Sequence, residues 1–229
     1  HRLRISHDAG DTGHAIVSFT GIGFGLGGIQ VPEFRRSLAQ SSHDIYFVVD
    51  KERGWYNGID RQVSERLNGH LERSGINRVI TLGNSMGGFG ALIFASMLVK
   101  CDRAIAFSPQ SSVSPAHVPF ENRWGDYIRD IQFWTVPDLL PFLRDDVHYT
   151  AFFGARDSRD LAHADRILNT PTGHPEVILL DDSAHDVAMD LNKSGVLGSL
   201  LVSLISGGGI GETLRGLHTS ALVAGGAPR

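Results

Sequence analysis

The chain has a single cysteine, Cys101, among 229 residues. No intrachain disulfide can form, and a reducing, cytoplasmic setting is the expectation. No apolar run approaches the ~20 residues that a membrane span needs. Neither sign of charge dominates: 21 Lys and Arg stand against 25 Asp and Glu, a formal net charge of −4. That balance gives no electrostatic footprint for nucleic acid or an anionic membrane. There is no G-K-[ST] sequence, so a phosphate-cradling P-loop is excluded. His1, His7 and His14 lack the carboxylate or cysteine spacing of a metal site, so neither a metal nor a cofactor is expected. What remains is an ordinary globular composition, 41% hydrophobic and 20% charged. Its length suits one α/β domain with a sizeable core.

Apolar runs alternate with helical patterns, and no internal repeat occurs. The pattern predicts strands near 2–6, 14–20, 44–50, 78–83, 103–108, 147–153 and 176–181. Helices are predicted near 33–41, 60–74, 86–100, 160–169 and 187–205, with Pro32 starting the first. Runs such as Ile45-Tyr46-Phe47-Val48-Val49 suit parallel strands buried on both faces. The fold class is therefore α/β, a mostly parallel sheet with helices on both faces. Residues 109–145 hold five prolines among Phe120, Trp124, Tyr127, Phe133 and Trp134. The stretch is too long and aromatic for a connector and reads as a small cap inserted into a domain spanning 1–205. Residues 206–229 read as a flexible tail with a short helix and no chemistry.

The most informative run is Val79-Ile80-Thr81-Leu82-Gly83-Asn84-Ser85-Met86-Gly87, followed by an apolar helical pattern. It is strand, sharp turn and helix with a serine at the tip, the G-x-S-x-G nucleophile elbow. So tight a turn strains the serine backbone and leaves room only for glycine on either side. It also aims the N–H groups of the following helix at the place where negative charge develops. A serine hydroxyl needs a base, and the base needs an orienting carboxylate. Asp157 and His185 each follow a predicted parallel strand, at the carboxyl edge where Ser85 also stands. The turn after the preceding strand, Ser108-Pro109-Gln110-Ser111-Ser112, offers no carboxylate. Asp160 shares the Asp157 loop. It is read as the N-cap of a helix from Leu161, because Asp is a favoured cap, which leaves Asp157 as the acid.

The elbow at 83–87, Gly154-Ala155-Arg156-Asp157 and a histidine followed by a helix at 185, in that order, resemble the α/β-hydrolase superfamily over roughly residues 1–205. The resemblance implies a serine hydrolase or acyl-transfer mechanism. Ser85 would attack a carbonyl, His185 would shuttle the proton, and Asp157 would orient the imidazole. Met86 N–H would supply one oxyanion donor, and Ile22 or Gly23, in the loop after the second strand, the other. That loop departs from the His-Gly pattern common in the superfamily. An ester on a small molecule or sugar is the leading substrate class. Trp55, Tyr56, Trp124 and Phe120 are candidates for binding it. The run Gly83-Asn84-Ser85-Met86-Gly87-Gly88 is also similar to that of carbon–carbon bond hydrolases, and an acyltransferase is a further alternative on the same fold. Arg123, Arg156 and Arg159 are candidates to hold an anionic substrate, with solvated or ion-paired positions the favoured reading. A homo-oligomer is compatible with the sequence.

Two readings of other classes compete. Gly23-Phe24-Gly25-Leu26-Gly27-Gly28 satisfies G-x-G-x-x-G, with Asp50 ending the next strand, as in a dinucleotide-binding oxidoreductase. A non-catalytic binding protein on a hydrolase scaffold is the other.

Overall fold

The computed structural model describes residues 2–23 and 30–222, and the side chains of 221 and 222 lie outside the description. The glycine run 24–28 and the last seven residues also fall outside it.

Among the described residues, eight strands form one sheet in the order β1-β3-β2-β4-β5-β6-β7-β8. They are β1 (Leu3–Asp8), β2 (His14–Phe19), β3 (Asp44–Asp50), β4 (Arg78–Asn84), β5 (Cys101–Phe107), β6 (His148–Gly154), β7 (Glu176–Leu180) and β8 (Thr219–Leu222). β2 to β7 run parallel, and β1 and β8 pair antiparallel at the two ends. The helices are α1 (Asp60–Arg73), α2 (Met86–Met97), α3 (Gly125–Arg129), α4 (Ser158–Leu168), α5 (Val187–Lys193) and α6 (Leu197–Ser206).

Alternation along the buried strands sends side chains to two cores. Val17, Val79, Ala104 and Phe153 pack with α1, α2 and α4 on one face. Ile16, Ile80, Ile105 and Phe152 pack with α5 and α6 on the other. Helix α2 is buried continuously from Met86 to Ala95. A helix apolar all round belongs in a core rather than on a surface.

Three expectations need correction. Residues 33–40 form successive turns, not a helix. Phe34 has φ +61°, outside the right-handed helical region, so the backbone cannot wind on from Pro32. The single pattern over 187–205 is two helices. The chain turns at Ser194 and Gly195, where Val196 N–H bonds back to the Leu191 carbonyl. The stretch 206–229 is not wholly a tail, because Thr219–Leu222 joins the sheet beside β7. Its four residues are too short to show a period against glycine-rich surroundings.

Candidate active site

β4 ends at Asn84, and Ser85 occupies the turn into α2 with φ 55° and ψ −120°. This is a strained conformation for a residue with a side chain, the kind that surrounding structure must hold in place. A Cβ on Gly83 would lie 1.9 Å from the Gly87 carbonyl oxygen, so only glycine permits this turn. Ser85 N–H is tied to the Phe107 carbonyl at 2.8 Å, which fixes the elbow to β5.

His185 follows β7, and its Nε2 lies 2.9 Å from Ser85 Oγ. Its Nδ1 lies 2.9 Å and 3.0 Å from the two carboxylate oxygens of Asp160. Serine, imidazole and carboxylate thus stand in hydrogen-bonded series at the carboxyl edge of the sheet, an arrangement able to draw the proton from a hydroxyl. Ala155 N–H bonds to the Leu180 carbonyl and Arg156 N–H to the Ser183 carbonyl, which lashes the β6–α4 loop to the β7–α5 loop. Gly154 makes that approach possible: a Cβ there would sit 1.9 Å from the Ala184 carbonyl oxygen.

The carboxylate facing His185 is therefore Asp160, not Asp157. Helix α4 starts at Ser158, three residues earlier than the sequence suggested, and Asp157 is its N-cap, accepting Arg159 N–H at 2.9 Å. That start places Asp160 in the first turn of α4. Burial would raise the Asp157 carboxyl, but the Arg159 hydrogen bonds and the Arg123 charge outweigh it and hold it at about 2. Asp157 is thus a cap and an ion-pair partner.

The sequence reading of Arg123 as ion-paired holds, but its partners were not foreseen. This residue, from the segment between β5 and β6, reaches Asp160 Oδ1 at 2.7 Å, His185 Nδ1 at 3.1 Å and Asp157 Oδ2 at 3.2 Å. Its Nε and Nη2 grip the carboxylate of buried Glu121. Glu121 also meets His163 Nε2 at 3.0 Å. Ser111 N–H donates to His163 Nδ1 at 3.1 Å, so Nε2 carries the His163 proton. Burial lowers His163 and keeps it neutral. Burial also works against the charges of Glu121 and Arg123. Their partners prevail, lowering the Glu121 carboxyl and raising the Arg123 guanidinium.

Arg123→Ala would leave buried carboxylates without a counter-charge. The expected loss is about 3–5 kcal/mol of folding stability, or roughly 10 °C in Tm for a domain of this size. Urea and thermal melts measure it. A loss under about 1 kcal/mol would mean the network is energetically neutral.

The oxyanion candidates lie close by. Met86 opens α2, so its N–H has no carbonyl partner within the helix. Ile22 is buried and its carbonyl accepts Arg53 Nε at 3.2 Å, whereas Gly23 is exposed. The preceding peptide is pinned on both sides. Gly21 N–H donates to Glu33 Oε1 at 3.1 Å, and its carbonyl accepts from Gln30 at 2.9 Å. Glu33 Oε2 is buried with no hydrogen-bond partner among the described residues. Glu33 and Asn84 line a cavity of about 720 Å³ together with Val31, Phe34, Ala188 and Met189.

The substrate-binding candidates divide. Trp124 is half-buried, its ring centroid 5.9 Å from that of His185. Phe120 packs edge-on against His163 at 5.0 Å. Trp55 and Tyr56 are completely buried. Tyr56 is a core residue, correcting the expectation of a substrate contact: its hydroxyl donates to the Thr20 carbonyl at 2.9 Å and its ring meets Phe19 and Phe94. Trp55 faces Gln110, which the sequence had passed over as an uncharged turn residue. Trp55 Nε1 donates to Gln110 Oε1 at 3.0 Å, and Gln110 Nε2 lies 3.2 Å from Ser85 Oγ.

Asp50, the ribose ligand of the dinucleotide reading, is engaged by its own loop. Its carboxylate accepts N–H groups of Glu52, Gly54 and Tyr56 and the guanidinium of Arg2. The helix that reading needs after the glycines is also missing from 33–40.

Solved structures match this chain over most of its length. A mutant of the capsule O-acetyltransferase of Neisseria meningitidis serogroup A, in complex with CoA, gives a TM-score of 0.63 at 15% identity, covering 86% of this chain and 91% of that one. A propionate-bound thermophilic esterase of Thermogutta terrifontis gives 0.60 at 16%, covering 90% and 89%. The enol-lactonase of Burkholderia xenovorans gives 0.57 at 15%, covering 89% and 96%. These structures share one architecture. The fold is that of the α/β-hydrolases. No family model matches the chain, and no curated protein matches it. In an α/β-hydrolase the carboxyl ends of the central strands carry the site, and here Ser85, Asp160 and His185 follow β4, β6 and β7.

Among the described residues, no helix is long and apolar enough to cross a membrane, and no cluster of three or more metal-ligating side chains occurs.

Proposed function

We propose that the chain is a serine hydrolase that cleaves a carboxylic ester through an acyl-enzyme. The observation that carries this reading is the 2.9 Å contact of Ser85 Oγ with His185 Nε2, backed by the 2.9 Å contact of His185 Nδ1 with Asp160. His185 takes the Ser85 proton as Oγ bonds to the acyl carbon, then returns it to the departing alcohol. Asp160 holds the imidazole with its Nδ1 proton directed at the carboxylate, leaving Nε2 to accept. Met86 N–H supports the developing oxyanion, with Ile22 or Gly23 as second donor. Trp124 lies tilted beside the imidazole and forms part of the wall that a small-molecule or sugar ester would meet. Water completes the cycle by the same proton transfers in reverse order. A second reading, favoured by the likeness to the capsule O-acetyltransferase, has an alcohol rather than water take the acyl group.

Purified protein is expected to hydrolyse short-chain p-nitrophenyl esters, and a fluorophosphonate should label Ser85 stoichiometrically. Labelling of no serine, or labelling that persists in Ser85→Ala, overturns the proposal. Added alcohol acceptors separate the readings: a transferase forms the new ester faster than free acid.

A further inference from the structure

We infer that Gln110 is a catalytic residue, donating a hydrogen bond to Ser85 Oγ, and that Trp55 is the positioning residue that aims it. The inference rests on the proposal that Ser85 is the nucleophile and adds a group that the elbow pattern does not include.

Three observations converge. First, among the described residues Ser85 Oγ has two side-chain partners, His185 Nε2 at 2.9 Å and Gln110 Nε2 at 3.2 Å. The imidazole accepts the hydroxyl proton, so the second contact is a donor to the same oxygen. Second, the orientation of the Gln110 amide is fixed by chemistry. An indole N–H only donates, so the atom 3.0 Å from Trp55 Nε1 must be the amide oxygen, and the NH₂ group faces Ser85. Gln110 and Trp55 are both fully buried, so water does not compete for these bonds.

Third, Trp55 is held by a strained loop. Arg53, Trp55 and Tyr56 have φ of 55°, 50° and 59°, three non-glycine residues in the left-handed region within four positions. Such strain persists only where surrounding bonds impose it, and it gathers at functional sites. Here Asp50 imposes it: Oδ2 accepts Gly54 N–H at 2.9 Å and Tyr56 N–H at 3.1 Å, while Arg2 closes on the same carboxylate. The loop thus delivers the indole N–H to Gln110.

The chemistry follows. As the Ser85 proton moves to His185 Nε2 and Oγ bonds to the acyl carbon, negative charge builds on Oγ before it passes to the carbonyl oxygen. A fixed amide N–H at 3.2 Å stabilises that charge. Gln110 transfers no proton. The same bond assists when Oγ leaves the acyl carbon during deacylation.

The test is the rate of fluorophosphonate labelling of Ser85, together with kcat and KM on a p-nitrophenyl ester. Gln110→Ala and Gln110→Met should each slow labelling and kcat about 10²-fold with little change in KM, by analogy with removal of one preorganised donor. Trp55→Phe, which keeps an aromatic side chain but removes the N–H, should fall between them and the parent. Gln110→Met keeps the length of the side chain without a donor, so a packing role would leave this variant close to the parent. Rates are taken per folded molecule, from far-UV circular dichroism. Parent-like labelling in folded Gln110→Met overturns the inference and leaves Ser85 standing. Absence of labelling in the parent overturns both.

Discussion

Asp160→Asn should lower kcat about 10³- to 10⁴-fold, while Asp157→Asn stays within a few-fold of the parent. An amide at 160 keeps the size of the side chain but no longer offers His185 Nδ1 a charged acceptor, and it can present its own N–H and force the wrong tautomer. In serine proteases the corresponding change costs about 10⁴ in kcat. At 157 the chemistry differs. Asp157 accepts Arg159 N–H at the start of α4 and pairs with Arg159 and Arg123. Asn is as good an N-cap as Asp, so the helix start survives. Both variants lose an ion pair to Arg123, so the comparison isolates the contact with His185. Steady-state kinetics on one ester, with folding checked by circular dichroism, decides it. Equal losses at both positions, or a greater loss at 157, would assign the acid to Asp157.

The second large effect is on stability against pH. Burial pushes the Glu33 carboxyl up from 4.5 to about 8, against the lowering influence of the Gly21 N–H. Between those values the unfolded chain has released the proton that the native state still holds. The native state binds more protons, so stability falls as pH rises through this window. At about 1.4 kcal/mol per pH unit, the upper bound is roughly 5 kcal/mol. Glu33→Gln keeps an oxygen to accept the Gly21 N–H and has no proton to release. It should flatten the profile between about pH 5 and pH 8 and be more stable than the parent at the upper end. Urea melts across that range measure this. Parallel profiles for the two proteins would show that Glu33 ionises freely in the native state.

The parallel core was legible because continuous β-branched runs such as 45–49 have few other uses. Ser85 was legible because strand, glycine turn and helix meet within nine residues. The order of strands placed His185 at the same edge. The acid was not legible at single-residue level. Asp157 and Asp160 are one turn of helix apart, and either fits as cap or acid until the first residue of α4 is known. The capping rule was sound, but the cap was the earlier aspartate. Arg123 and Gln110 were missed for another reason. A half-buried arginine bridging three carboxylates looks like any surface arginine in sequence. A glutamine becomes informative only when an indole 55 positions away fixes which end of its amide faces the serine. The Phe34 backbone was equally hidden, because nothing in Pro-Glu-Phe-Arg announces a left-handed residue.

The antiparallel strands at the two ends of the sheet bear on how this molecule meets a second copy of itself. β1 presents Arg4, His7 and Asp8 along an exposed or half-exposed edge, and charged side chains there discourage a neighbouring chain from adding a strand. β8 is only four residues long and offers a short template. By covering β7, it keeps the buried apolar run Val177–Leu180 from becoming the outer edge. Growth of the sheet from copy to copy is thus disfavoured at both rims, and self-association would have to use another surface.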